Sequence, residues 1–374
     1  MSAAGTRMAR ERAPLLMPGR SLASIQTLRF VAALVVVVYH GGIAGRHHGF
    51  LGPAYDRLLA LSVAGEAGVH VFFVISGFIM VYATAGRSQA GGGALAFLRH
   101  RFERIYPVYW LYASLYLLFH VLVFRTVGLE WRSVLPALAL WPGSSAAIIG
   151  PGWTLSYEVY FYLVFGLCIA LPVVLSLPAL TLALLAMIAS GIAFDLSGSF
   201  WQVVTNPLLL EFLAGVWVAK ALMTWRIPAW VGDLVLLLGV VGFAAGIAAG
   251  LPDIPTVILW GIPSTCLVFG LVRREIGRGL PRLFARLSPL GDGSYSVYLL
   301  HNLLLDIALL GLVFVAGMPH GGGLAVAFAI LLSWVAGQLA FERIEKPLFQ
   351  ALRRRRKAPT PAVRLALREE GARS

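Results

Sequence analysis

The chain has 374 residues, 59% of them hydrophobic and 13% charged, a balance that a soluble domain of this length could keep only by exposing large apolar patches. Its 30 Lys and Arg outnumber 17 Asp and Glu, leaving a net charge of +13. These basic residues alternate with long apolar runs instead of gathering on one soluble face, which argues against nucleic acid and for a membrane whose cytoplasmic leaflet holds basic loops.

In chain order, Arg7, Arg10, Arg12 and Arg20 precede the first apolar run, a superficial likeness to a signal peptide. That run carries Arg29 and His40 and many spans follow it, so cleavage is not expected. Stretches long enough to cross a bilayer, roughly 20 residues each, fall near 23–44, 68–85, 105–124, 152–171 and 174–194. A second set falls near 207–223, 229–250, 254–272, 293–316 and 322–343, for an expected count of about ten transmembrane helices. The break between the fourth and fifth rests only on Pro172 and Pro178. With the N-terminus inside, 25 Lys and Arg fall in cytoplasmic segments and 4 in outer ones, the asymmetry that orients membrane proteins. The reading is an all-α polytopic integral membrane bundle, with N- and C-termini cytoplasmic. Residues 1–20 and 351–374 read as tails around a membrane domain at 21–350. The run Arg353 to Lys357 either fixes orientation or binds anionic membrane lipids. The loop 125–151, with Trp131 and Trp141, reads as interfacial anchoring. Cys168 and Cys266 lie in apolar runs as small hydrophobes, and no Cys/His set has zinc spacing, so no metal is expected.

Ionisable residues inside spans are costly and are therefore functional candidates. In the first span Arg29 and His40 are eleven steps apart, about 1100° of helical rotation, so they share a face roughly 16 Å apart along the axis. A snorkelling Arg and a core His bonded to a carbonyl is the plainer alternative. His70, in a glycine-containing second span suited to close helix packing, is a weaker candidate than His40. Arg99, Arg101 and Arg104 lead into the third span, where they could grip phosphates or simply mark the inner side. Glu158 in the fourth span lies at a depth similar to that of His40 and could orient its imidazole. Ser156, on the opposite face from Glu158, reads as a cap or packing contact. Glu211, one turn into the sixth span, could line the same cavity or pair with a neighbour. Ser294, Tyr298 and His301 form a polar stripe on one face of the ninth span, with Asp306 further along; such a stripe faces a cavity or another helix rather than lipid.

Taken in order, these motifs resemble those of the acyltransferase family 3 membrane proteins, which include bacterial exopolysaccharide and lipopolysaccharide O-acetyltransferases. The likeness rests on Leu28-Arg29-Phe30 through His40, Gly68 to Phe78, Arg101 to Tyr109 around Arg104-Ile105-Tyr106-Pro107, Trp153 to Leu163, and Gly291 to His301. The ending Phe341-Glu342-Arg343-Ile344-Glu345-Lys346-Pro347-Leu348 also agrees. Each motif is weak singly; the ordered set, over roughly residues 21–350, is specific. Two positions depart from the pattern: His70 stands where an acidic residue is common, and only Glu158 remains of a frequent acidic pair.

The resemblance implies transfer of an acyl group, usually acetyl, from cytoplasmic acyl-CoA to a sugar handled at the bacterial inner membrane. It implies roles for Arg29 and His40, with donor binding by Arg99, Arg101 and Arg104 and by Tyr106 in the same motif. On this reading acetyl-CoA is a donor substrate rather than a resident cofactor. The acceptor is a polysaccharide or its lipid-linked precursor, contacted by Tyr298, His301 and Glu211, and polysaccharide-assembly machinery is a possible partner. His40 would act as general base or acyl carrier, with Glu158 as its orienter. A flippase for lipid-linked sugars and a non-catalytic subunit of an assembly complex are the alternatives. The absence of an evident internal repeat weighs against the first, and the Arg29/His40 face weighs against the second.

Overall fold

A computed structural model describes residues 16, 18–53, 63–85, 93–124, 131–144, 148–249, 254–316 and 322–357. Most of the two expected tails and parts of the loop 125–151 lie outside the described residues. Within them the chain is helical, with no strand.

The first helix, α1 (Ala23–His47), begins where three donors at its N-terminus meet one carboxylate. The Ala23 and Ser24 amides donate to the two oxygens of Glu275 at 2.9 Å each, and the Ser24 hydroxyl adds a third bond. Helix N-termini leave such donors unmet, and a carboxylate also complements the local dipole. Next come α2 (Ala67–Thr84) and α3 (Gly93–Phe119), the latter continuing through a π turn at His120–Phe124. The third helix therefore starts twelve residues before the expected 105, and the arginines at 99–104 lie on the helix itself. Arg, Leu, Phe and Glu are compatible with helix, so charge marks the membrane edge without ending the element.

A short α4 (Trp131–Leu138) precedes α5 (Trp153–Cys168) and α6 (Val173–Ala193). The expected break between the fourth and fifth spans falls at Pro172, which caps α6, whereas Pro178 sits inside that helix. Pro at a helix start loses no intrahelical bond, which is why Pro172 makes the boundary. The remaining helices are α7 (Trp201–Val204), α8 (Leu209–Thr224), α9 (Ala229–Ala249), α10 (Ile262–Gly277) and α11 (Arg282–Asp292). They are followed by α12 (Ser294–Ala316), α13 (Gly322–Ala340) and α14 (Lys346–Lys357). The last of these runs through 350, the expected end of the membrane domain, into the basic run.

Among the described residues nine helical stretches are long and apolar enough to cross a membrane. The expected tenth, at 152–171, is α5; its 16 residues span roughly 24 Å at 1.5 Å per residue, short of the ~30 Å hydrocarbon layer. The chain is an integral membrane protein with α5 tucked among longer neighbours.

Packing depends on glycines that let backbones touch. A Cβ on Gly77 of α2 would lie 1.9 Å from the Phe212 carbonyl oxygen of α8, and one on Gly215 of α8 would lie 1.9 Å from the Val74 oxygen of α2. Gly68 brings α2 close to α1, where an added Cβ would lie 2.5 Å from the Ala32 oxygen. Close approach at small residues is what holds helices together where lipid is as apolar as the side chains. Over these contacts Phe73, Phe212 and Phe161 stack with centroids 4.6 and 4.7 Å apart. By contrast α6 and α9 bury only 17% of their apolar windows and present the rest outward. The buried residues of α9 are Gly232, Gly239 and Gly246, a seven-residue stripe turned toward α10. The interior of the bundle is therefore built from α1, α2, α3, α5, α8, α10 and α12.

Candidate active site

Helix α1 carries Arg29 and His40 on one inward face, and each opens into a different chamber. The first chamber is lined by Arg20, Arg29, Arg101, Arg104, Glu158 and Tyr298, among apolar neighbours. The second is lined by His40, Glu66, His70, Trp153 and Tyr298. Val69 and Tyr298 line both, so the two chambers meet at a wall formed by these side chains. At the other end, Arg29 and Arg104 also line a further cavity with His100, Glu345 and Arg353. Neighbouring cavities share lining residues, and the series forms a passage along the bundle, basic toward one end, rich in imidazole toward the other, and interrupted at Val69 and Tyr298.

Helical geometry sorts the residues before α3's apolar stretch. Arg101 and Arg104 are three apart and about 60° apart in azimuth, so both reach the first chamber. Arg99 is two residues from Arg101 and faces away, exposed and paired with Glu103 at 2.8 Å. Tyr106 likewise turns outward from the chamber, donating its hydroxyl to the Ala139 carbonyl at 2.9 Å and stacking on Phe102. Arg101 is buried with its guanidinium over the rings of Phe97 and Tyr162, at 5.3 and 5.5 Å. Arg29 donates to Gln26 at 3.0 Å. Of the four residues expected around a donor, the structure thus brings two to Arg29 and leaves two outside.

Glu158 does not orient His40. Its carboxylate accepts bonds from Ser76 at 3.0 Å and from Tyr162, on the arginine side of the wall. Depth along a helix was the only measure available for that pairing, and it carries no azimuth. The His40 ring instead donates Nδ1–H to the Val36 carbonyl at 3.0 Å and meets His301 edge-on, with centroids 4.8 Å apart. A carbonyl can only accept, so Nε2 of His40 is the unprotonated nitrogen of the neutral ring. His301 is fully buried behind His40, with Nδ1 donating to Tyr298 at 2.6 Å and Nε2 without a hydrogen-bond partner among the described residues. Tyr298 itself bonds to Thr154 at 3.0 Å.

Glu211 lines neither chamber; it lies beneath His70, whose Nδ1 meets its Oε1 at 2.5 Å, both side chains buried. Ser156 tethers the loop before α5 by donating to the Leu140 carbonyl at 3.1 Å. Asp306 pairs with His48 at 3.0 Å, beyond the end of α1. Two acidic residues of the passage were not among the expected site residues. Glu66, bonded to Tyr39 at 3.0 Å, precedes α2 rather than lying in a span. Glu345 accepts from Ser296 at 2.5 Å and is turned inward by a π turn at Phe341–Glu345, a local register change no periodicity shows.

A helical membrane bundle with arginines at one end of an internal passage and an imidazole with a free lone pair at the other has the parts of a group-transfer enzyme. Residues 22–338 match the family model of the acyltransferase domain, and the chain belongs to that family, as an O-acyltransferase embedded in the membrane. It is similar to the exopolysaccharide production protein ExoZ of Rhizobium meliloti (strain 1021), with 33% identity across 78% of this chain and 92% of that protein. It is also similar to the acyltransferase MdmB of Streptomyces mycarofaciens, with 29% identity across 93% of this chain and 98% of the relative. No solved structure matches it.

Proposed function

We propose that the chain moves an acetyl or other short acyl group from cytoplasmic acyl-CoA to a hydroxyl of an exported polysaccharide or its lipid-linked precursor. It would work in the bacterial inner membrane with both termini on the cytoplasmic side. The observation that carries this reading is the joined pair of chambers, basic where a nucleotide would enter and imidazole-lined where a hydroxyl would react. The phosphates of the donor rest on Arg104 and Arg29, with Arg353 in the cavity beyond them and Arg101 along the arm. Guanidinium forks match phosphate oxygens and stay charged when half-buried, which suits them to this place. The slender pantetheine arm follows the first chamber past Glu158 and passes between Val69 and Tyr298, so that the thioester enters the second chamber. Nε2 of His40 then accepts the proton of the acceptor hydroxyl as its oxygen attacks the thioester carbonyl. Relatives named for exopolysaccharide production and for acyl transfer support both halves of the reading.

The test is incorporation of label from acetyl-CoA into membrane glycan, with wild type compared with His40→Ala at matched expression. Loss of label in the variant is expected. Full labelling by a stably inserted His40→Ala protein would end the base assignment. Movement of a lipid-linked sugar without acyl transfer would replace the enzyme by a flippase.

A further inference from the structure

The buried pair of His70 and Glu211 is not accounted for by the reaction as described so far. Each member belongs to a different helix, α2 and α8, brought together by the backbone contacts at Gly77 and Gly215. Room for the carboxylate is specific: a Cβ at Gly261 would lie 2.6 Å from Glu211 Oε1. The second oxygen, Oε2, has no hydrogen-bond partner among the described residues. An ionised carboxylate so placed is strongly disfavoured unless a cation faces it. His70 is the partner that touches it.

A pair of no net charge answers that need, with one proton held between Nδ1 and Oε1, and it fixes what the ring can do. Whichever of the two atoms carries that proton, the other ring nitrogen keeps its own N–H. Nδ1 is engaged by Glu211, leaving Nε2–H for the chamber that His70 lines. In the same chamber His40, with Nδ1–H spent on a backbone carbonyl, offers only an Nε2 lone pair. One imidazole accepts and the other donates. Attack of a hydroxyl on a thioester needs both, an acceptor for the proton leaving oxygen and a donor for the charge arriving on the carbonyl.

We propose that His70, its Nδ1 held by Glu211, is the oxyanion donor of the acyl-transfer step. The inference rests on the acyltransferase reading above. The acceptor oxygen bonds to the carbonyl carbon while its proton passes to His40 Nε2. The carbonyl π pair moves onto oxygen and is held by His70 Nε2–H. Collapse then breaks the C–S bond, and the departing thiolate takes the proton from His40, leaving ester and free CoA thiol. His70 is a catalytic residue on this account, and Glu211 is a positioning residue that acts through it.

The experiment uses the full chain in lipid nanodiscs, with acetyl-CoA and the glycan acceptor that wild type labels. His70→Ala should lower kcat by about 10²–10³-fold, the usual cost of losing one oxyanion donor, with acetyl-CoA binding within about twofold. Glu211→Gln, which keeps a hydrogen bond and removes the carboxyl proton, should lower kcat by about 10-fold at nearly unchanged KM. His70→Gln, which keeps an N–H, should recover part of the loss. In ¹⁵N-histidine spectra His70 Nε2 should be protonated in wild type. An unchanged kcat with a raised acceptor KM in His70→Ala, or a His70 Nε2 without a proton in wild type, would overturn the proposal. Should His70→Ala fail to fold, the Glu211→Gln kinetics and the wild-type spectra decide alone. Wild-type protein that labels no glycan would instead overturn the acyltransferase reading, leaving the spectroscopic result to judge the Nε2 proton.

Discussion

At the residue scale, two arginines two positions apart have opposite surroundings, and that contrast makes a prediction. Arg101 is buried against Phe97 and Tyr162 on the chamber wall, while Arg99 is exposed beside Glu103. Removing a charge-assisted hydrogen bond to the donor's arm costs roughly 1.5–3 kcal/mol, so Arg101→Ala should raise the KM for acetyl-CoA about 10- to 100-fold. Exposed ion pairs contribute ~0–1 kcal/mol at most, and Arg99→Ala should leave that KM within about twofold. Acetyl-CoA titration of the two variants checks both. The residues of α1 were readable in advance, because a spacing of eleven puts Arg29 and His40 on one face whatever surrounds the helix. The partners of those residues were not readable. His70 and Glu211 are 141 positions apart, and Glu158 shares depth with His40 without sharing a chamber. Depth follows from counting along a helix, whereas azimuth relative to other helices is set by packing.

At the scale of elements, the α2–α8 contact governs the histidine chamber because it brings His70 onto Glu211. Gly77→Ala would press a methyl group into the Phe212 backbone, and overpacking of this kind costs about 1–3 kcal/mol. The expected result is a lower Tm in detergent together with reduced kcat, since strain there also moves the pair. Gly311 in α12 has nothing within 4 Å of an added Cβ. Gly311→Ala should be neutral or stabilising by up to about 1 kcal/mol, measured by the same melting experiment. Small residues in the second span were legible as packing positions from sequence, and the structure shows the contacts they serve. The length of α5 was not legible, because an apolar run continues across Ile169–Pro172 while the helix does not. Hydropathy measures partition into lipid, and Pro172 acts on the backbone instead.

At the scale of the whole molecule, the passage gives the bundle a direction. Basic side chains gather at one end of it and imidazoles at the other, and the proposed orientation puts the former on the cytoplasmic side. A cysteine introduced at Trp141, which is exposed, should react with an impermeant thiol reagent from outside intact cells. One introduced at Ser374 should react only after the membrane is opened. The opposite pattern would invert the orientation and with it the side from which donor enters.

The central claim is that acyl groups enter at the arginine end and leave at the histidine end. Proteoliposomes of single orientation, sealed around the glycan acceptor and supplied with labelled acetyl-CoA on one side, test it most directly. The account predicts labelled acceptor inside only when the face bearing the termini meets acetyl-CoA outside, and none with His40→Ala. Equal labelling from either face, or labelling only when donor and acceptor share a compartment, would contradict it.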